Sequence, residues 1–262
     1  MIISVLLLFL TGVLAGVLAG LLGIGGGLVI VPLFSWMLMA QGVSIDMAVS
    51  VAVATSLASM LLTSASAIGF HARRRVIALE VLIRLGPAVA IGAVAGAVLA
   101  TVLSGDQLAK VFAVAAGLIG VRMSLGIRSA GAEREPFPRH WWLLGPGIGA
   151  VSAMIGIGGG SFNVPYLRWN GYAMVNAVAT ASACGWVIGL SGTVAFLLID
   201  PAVSDLTRLI GHVHWPAALL IGVVGALAAP AGVALAHRLP AERLSRIFGV
   251  VLTLVALRMG LS

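Results

Sequence analysis

Apolar residues run along this chain in long blocks divided by short polar breaks. Long blocks occupy 2–22, 46–70, 79–103, 107–127, 141–155, 173–199, 213–237 and 241–261, and a helix needs about 20 apolar residues to cross a bilayer. Two shorter pieces, 28–40 and 161–167, follow glycine clusters and are too short to cross upright. Nothing alternates apolar and polar in the roughly ten-residue segments of an outer-membrane barrel. The pattern predicts an all-α integral membrane protein with about eight long transmembrane segments plus two short half-helices.

The blocks repeat. Gly23-Ile24-Gly25-Gly26-Gly27 followed by Pro32 matches Gly156-Ile157-Gly158-Gly159-Gly160 followed by Pro165, a shift of 133. Ala52-Val53-Ala54-Thr55 matches Ala177-Val178-Ala179-Thr180, and Leu108, Phe112, Arg122 and Met123 match Leu244, Phe248, Arg258 and Met259. Residues 1–127 and 141–262 are therefore expected to be two transmembrane repeats, joined by the polar stretch 128–140 as a cytoplasmic linker. Matching loops differ in charge: Arg73, Arg74 and Arg75 follow the 46–70 block, whereas Asp200, Asp205 and Arg208 follow its counterpart. Lys110 stands alone in its loop, whereas Arg238, Arg243 and Arg246 occupy the matching one. Halves inserted upside down relative to each other place every basic residue except Lys110, Arg208 and Arg258 on the cytoplasmic side, with both termini outside. Inverted repeats with broken helices and a midplane site are a recurring transporter plan.

Composition agrees: 61% of the residues are hydrophobic and 9% charged, against about 25% charged in soluble domains. The net charge of +7 is accounted for by basic residues at block ends, so no nucleic acid partner is expected. One cysteine, Cys184, inside an apolar block, leaves no disulfide framework and no paired metal motif. The first block lacks a basic leader and continues past residue 20, and it reads as a retained segment.

The glycine clusters are the sharpest chemical feature. Interior glycines cost a helix about 1 kcal/mol each relative to alanine, and non-helical backbone survives in lipid only when buried in protein or lining a watery cavity. A glycine loop opening into a helix leaves N–H groups free at the positive helix end, which suits an anion. The competing reading is close helix packing through small residues. The candidate substrate-binding residues are Gly23, Gly25, Gly26, Gly27 and Pro32, with Gly156, Gly158, Gly159, Gly160 and Pro165. Ser161 and Asn163 follow the second cluster and could complete an anion's hydrogen-bond shell; Leu28 and Ile30 hold those places in the first. Thr55, Ser56, Thr180 and Ser182 lie inside apolar blocks, as site lining or as partners of a neighbouring helix. No carboxylate, lysine or arginine stands in mid-block, which argues against a cation or metal carrier and leaves helix dipoles to hold an anion. No nucleophile-and-base set supports an enzyme, and no cofactor or metal is expected.

Duplicated GxGGG clusters, each followed by a proline, with Ala54-Thr55-Ser56 and Ala179-Thr180 downstream, resemble the TauE/SafE sulfite-exporter family of anion permeases. The resemblance implies a bacterial inner-membrane permease for sulfite, sulfonates or related organosulfur anions, often moved outward. The expected partners are a small anionic substrate and the lipid bilayer, with a homo-oligomer left open. The alternatives are a cation or metal carrier and a non-transporting membrane subunit.

Overall fold

The computed structural model describes residues 2–22, 26–125, 140–199, 209–236 and 241–260. They form helices α1 (Ile2–Leu22), α2 (Gly27–Met39), α3 (Ile45–Arg73), α4 (Leu79–Val102), α5 (Gly105–Ser124), α6 (Trp141–Met154), α7 (Gly160–Trp169), α8 (Met174–Leu198), α9 (Trp215–Ala236) and α10 (Ala241–Gly260). A short antiparallel hairpin, β1 (Leu209–Ile210) and β2 (Val213–His214), leads into α9. Every long apolar block is a helix, and the two short pieces are α2 and α7. Among the described residues six helices, α1, α3, α4, α5, α8 and α9, are long and apolar enough to cross a membrane. Six of the eight long blocks meet that standard of length and composition among the described residues. With 14 residues, α6 is shorter than a crossing. All of the linker except His140 lies outside the described residues, as do the charged positions Asp200, Asp205, Arg208 and Arg238.

Apolar side chains on the outer helices face outward: Ile3, Leu6 and Phe9 on α1, and Ile83, Ile91 and Val102 on α4, are exposed. In a bilayer those faces meet lipid, so the molecule is a multi-pass membrane protein. The central helices are α3 and α8, which pack on each other; α3 also meets α9, and α8 meets α4. Around them α1 packs on α9, α4 on α6 and α5 on α10, while α2 and α7 lean on α3 and α8.

Lipid supplies no hydrophobic force between helices, so close backbone contact through small residues has to hold them. A Cβ added at Gly92 would overlap the carbonyl oxygen of Pro146, one at Gly96 that of Ala150, and one at Gly149 that of Val89. The order of these contacts makes α4 and α6 run parallel. The same reading makes α3 and α9 parallel, with Gly222 on Ser59 and Gly225 on Thr63. Between α5 and α10 the order is reversed: Gly120 meets Gly249 and Thr253, Gly117 meets Ala256, and Ala113 meets Gly260. Those two helices are antiparallel.

The short helices end alike. Gly42 after α2 and Gly171 after α7 both have φ +87°. Val43 N–H donates to Leu38 O and Tyr172 N–H to Leu167 O, at 3.2 and 3.1 Å, each the six-to-one bond of a left-handed helix terminus. The start of α5 carries a capping box, Ser104 with Gln107, and Gly105 N–H donates to Asp46 Oδ1 at 2.5 Å, tying α5 to the start of α3.

Gly149 and Gly147 lie on one helix, yet nothing stands within 4 Å of a Cβ at Gly147. Gly149→Ala should therefore cost about 1–3 kcal/mol by overpacking, lowering the thermal midpoint of the purified protein in detergent. Gly147→Ala should leave that midpoint unchanged or raise it slightly. Equal behaviour of the two variants would mean that α4 and α6 are not held at backbone distance.

Candidate functional site

The chain leaves helix at Met154, and residues 155–159 carry it to the start of α7. Two of these residues have left-handed backbone, Gly156 at φ +66° and Gly159 at φ +69°, a region that L side chains rarely enter. Hydrogen bonds close the turn: Ile157 N–H donates to Ser152 O at 2.9 Å and Gly159 N–H to Ile157 O at 2.8 Å. Ile155 and Ile157 are wholly buried.

Much of this cluster is at backbone distance from its neighbours. A Cβ at Gly27 would overlap Gly156 O, and one at Gly185 would overlap Gly158 O. The two glycine clusters therefore meet at Gly27 and Gly156, where Ser56 Oγ also donates to Gly156 O at 2.8 Å. For Gly27, Gly156 and Gly158 the geometry supplies a packing reason for glycine. Gly23 and Gly25 lie outside the described residues.

The start of α7 is different. Gly159 is its N-cap, and Gly159 O accepts from Phe162 N–H at 3.1 Å and Asn163 N–H at 2.6 Å. The N–H groups of Gly160 and Ser161 make no hydrogen bond among the described residues. Over the same end lies Asn163, fully buried, with neither its Nδ2 nor its Oδ1 partnered, and the buried Oγ atoms of Ser161 and Ser152 are likewise without partners. A point one Cβ out from Gly159 lies 2.7 Å from Asn163 Nδ2, 3.7 Å from Ser152 Oγ and 2.6 Å from Ile188 Cδ1. Leaving a buried polar group unpaired costs about 1–3 kcal/mol. Several such groups gathered at one helix start make a set of hydrogen-bond donors and acceptors that a bound polar ligand would complete.

The start of α2 has no such set. Its backbone bonds match those of α7, Val29 and Ile30 N–H donating to Gly26 O at 3.0 and 3.1 Å, but the buried side chains are the apolar Leu28 and Ile30 where α7 has Ser161 and Asn163. Pro32 and Pro165 sit inside α2 and α7. Ser35 Oγ donates to Pro32 O at 3.1 Å.

Thr55 and Thr180 are fully buried and each binds the backbone of the other half. Thr55 Oγ1 accepts from His214 N–H at 3.1 Å, just ahead of α9. Thr180 Oγ1 accepts from Ala78 N–H at 3.0 Å, just ahead of α4. Ser182 Oγ donates to Val178 O within α8 at 2.9 Å. Asn176 Nδ2 reaches across to Val76 O at 2.9 Å. His214 is itself part of a helix start: its Nδ1 accepts from Ala217 N–H at 3.3 Å, and its ring meets Phe34 edge-on at 5.9 Å.

Ser152 and Ile188 belong to the cluster without having been singled out in the sequence. A serine four residues before the glycine run is a visible signal for the first; Ile188 looks like any other core residue. Among the described residues no group of three or more His, Cys, Asp or Glu is placed to hold a metal ion.

The description "Sulfite exporter TauE/SafE" matches residues 8–259 of the chain. A Haemophilus influenzae protein named "Probable membrane transporter protein" is 30% identical over 98% of both chains. Proteins of similar name from Methanocaldococcus jannaschii, 25% identical over 97% of this chain and 94% of that one, and from Bacillus subtilis, 22% identical over 96% of both, are also similar. No solved structure matches. A helical membrane chain whose relatives are named as transporters, and whose family match runs nearly from end to end, belongs to the sulfite exporter TauE/SafE family and is a membrane transporter.

Proposed function

We propose that the protein is a secondary permease for small anions, of the sulfite or sulfonate kind, in a bacterial inner membrane. The observation that carries this reading is the start of α7: free N–H groups of Gly160 and Ser161 beside the buried, unpartnered Asn163, Ser161 and Ser152. A helix start bears a partial positive charge, and here it is deep in protein, where a lowered dielectric strengthens the attraction for an anion. With no lysine or arginine in mid-segment, the holding stays weak enough for release.

The mechanism we infer is alternating access between two inverted repeats, 1–127 and 141–262. In that arrangement α1 and α2 correspond to α6 and α7, and α3, α4 and α5 to α8, α9 and α10. The packing supports it: α1 on α9 answers α6 on α4, and α3 on α9 answers α8 on α4. The matched helices α5 and α10 run antiparallel, as halves of opposite orientation require. The bonds from Thr55 and Thr180 form an equivalent pair, each joining a central helix of one half to the start of a helix of the other. With basic ends inside, Thr55 lies in the outer half of the membrane and Thr180 in the inner half.

Gly159→Ala forces a side chain into left-handed backbone and against Asn163 and Ile188. Uptake of radiolabelled sulfite into proteoliposomes should fall more than about tenfold while the protein inserts and purifies normally; undiminished flux would remove this helix start from the route. The topology is checked with single cysteines in a Cys184→Ala background. Lys110→Cys and Arg246→Cys, matched positions, should label with an impermeant thiol reagent from opposite faces, and labelling from one face would defeat the inverted arrangement. In the same background Ser161→Cys reports access. Thr55→Val should raise its labelling from outside and Thr180→Val from inside, each loosening one cross-half bond worth about 1 kcal/mol. Identical shifts in the two variants would count against alternating closure at these bonds.

A further inference from the structure

Resting on the reading of α7 as the anion site, we infer that the ligand is a monoanion that carries a hydrogen-bond donor of its own, not a dianion built only of acceptors. Two independent observations lead there. One is charge: the site offers a helix start, worth about half an elementary charge, and no lysine or arginine stands in mid-segment. A single negative charge is matched by that field, and a second one would be desolvated without a partner.

The other observation is Asn163. Its amide supplies two N–H donors at one end and an acceptor oxygen at the other, and neither end has a partner although the residue is fully buried. Exchanging the amide's nitrogen and oxygen does not alter the tally, because both ends are unpartnered either way. A ligand with acceptors alone satisfies Nδ2 and the N–H groups of Gly160 and Ser161, and leaves Oδ1 facing oxygen lone pairs. A ligand with acceptors and one donor satisfies both ends. The hydroxyls of Ser152 and Ser161 rotate and serve either role, so they set no such demand. The donor can be the O–H of a singly protonated oxyanion or a hydroxyl on the short tail of a sulfonate, and the two sources share the same chemistry at Asn163.

The test uses the full-length protein in detergent, with binding followed by calorimetry. The probes are 2-hydroxyethanesulfonate and ethanesulfonate, monoanions of matched size that differ in the donor, with sulfate as the donor-free dianion and sulfite titrated across neutral pH. The hydroxyl-bearing sulfonate should bind about tenfold more tightly than ethanesulfonate, sulfate should be weakest, and sulfite affinity should rise as pH falls and the singly protonated form grows. Asn163→Leu should bring the two sulfonates to equal affinity. Dependence on the tail hydroxyl with no pH effect on sulfite assigns the donor to the organic group; a pH effect without hydroxyl preference assigns it to the oxyanion. Equal binding of both sulfonates with pH-independent sulfite, all lost in Gly159→Ala, overturns the donor requirement and leaves the site in place. Failure of every probe to bind overturns the site and the inference with it.

Discussion

A bilayer interior offers the backbone no hydrogen bonds, and the fold depends on that absence. Within the hydrocarbon layer, every stretch that is not helix must lie inside protein or line a watery cavity. The turn at residues 155–159 is such a stretch, and α3, α8 and the start of α2 wrap it. Glycine is what lets them come near enough. At Gly27 on Gly156 and Gly185 on Gly158 there is no room for a single methyl. The same constraint sets the spacing of α4 on α6 and of α5 on α10, because small residues bring carbonyl oxygens and Cα atoms together where lipid cannot press helices into contact. Packing and site therefore draw on one residue type for one reason.

Within that frame, the two glycine clusters have become unlike. The first leads into Leu28 and Ile30, and its described part is fully accounted for by packing on Ala15 and Gly156. The second leads into Ser161 and Asn163 with Ser152 beside them, all with unpartnered polar atoms. In the proposed arrangement of two repeats, one copy would keep the backbone geometry as a wall, and the other would add the polar groups. Burying those groups unsatisfied works against stability, and that cost is what supports the proposal of a ligand there.

The positions of the helices were legible in the sequence because hydrophobic length is dictated by the membrane. The block 79–103 is α4 at Leu79–Val102, and the block 173–199 is α8 at Met174–Leu198. The hairpin at 209–214 was not legible. It is two residues per strand, and its second strand merges with the block that becomes α9. Nor did the shortness of α6 stand out, since Ile155 continues the apolar run while the backbone turns away. The partners of Thr55 and Thr180 were out of reach for a different reason. Each lies more than 100 positions away in the chain, and a hydroxyl inside an apolar block says that it needs a partner without saying which.

Those two threonines also limit what kind of motion the fold allows. Each bond takes a backbone N–H at the entry to a helix, His214 ahead of α9 and Ala78 ahead of α4, and gives it an acceptor on the opposite half. A helix entry leaves its first N–H groups without intrahelical acceptors, and both of these bonds are part-buried. Breaking either bond is affordable only if water reaches the freed group, which means that the corresponding side has opened. Opening both sides at once would strip both bonds and part α3 from α9 and α8 from α4 together. Opening one side leaves the other bond, and the helix pair around it, intact. In the alternating-access mechanism proposed above, these hydrogen bonds would favour states open on one side at a time, which is the condition a carrier must meet to move its substrate without leaking.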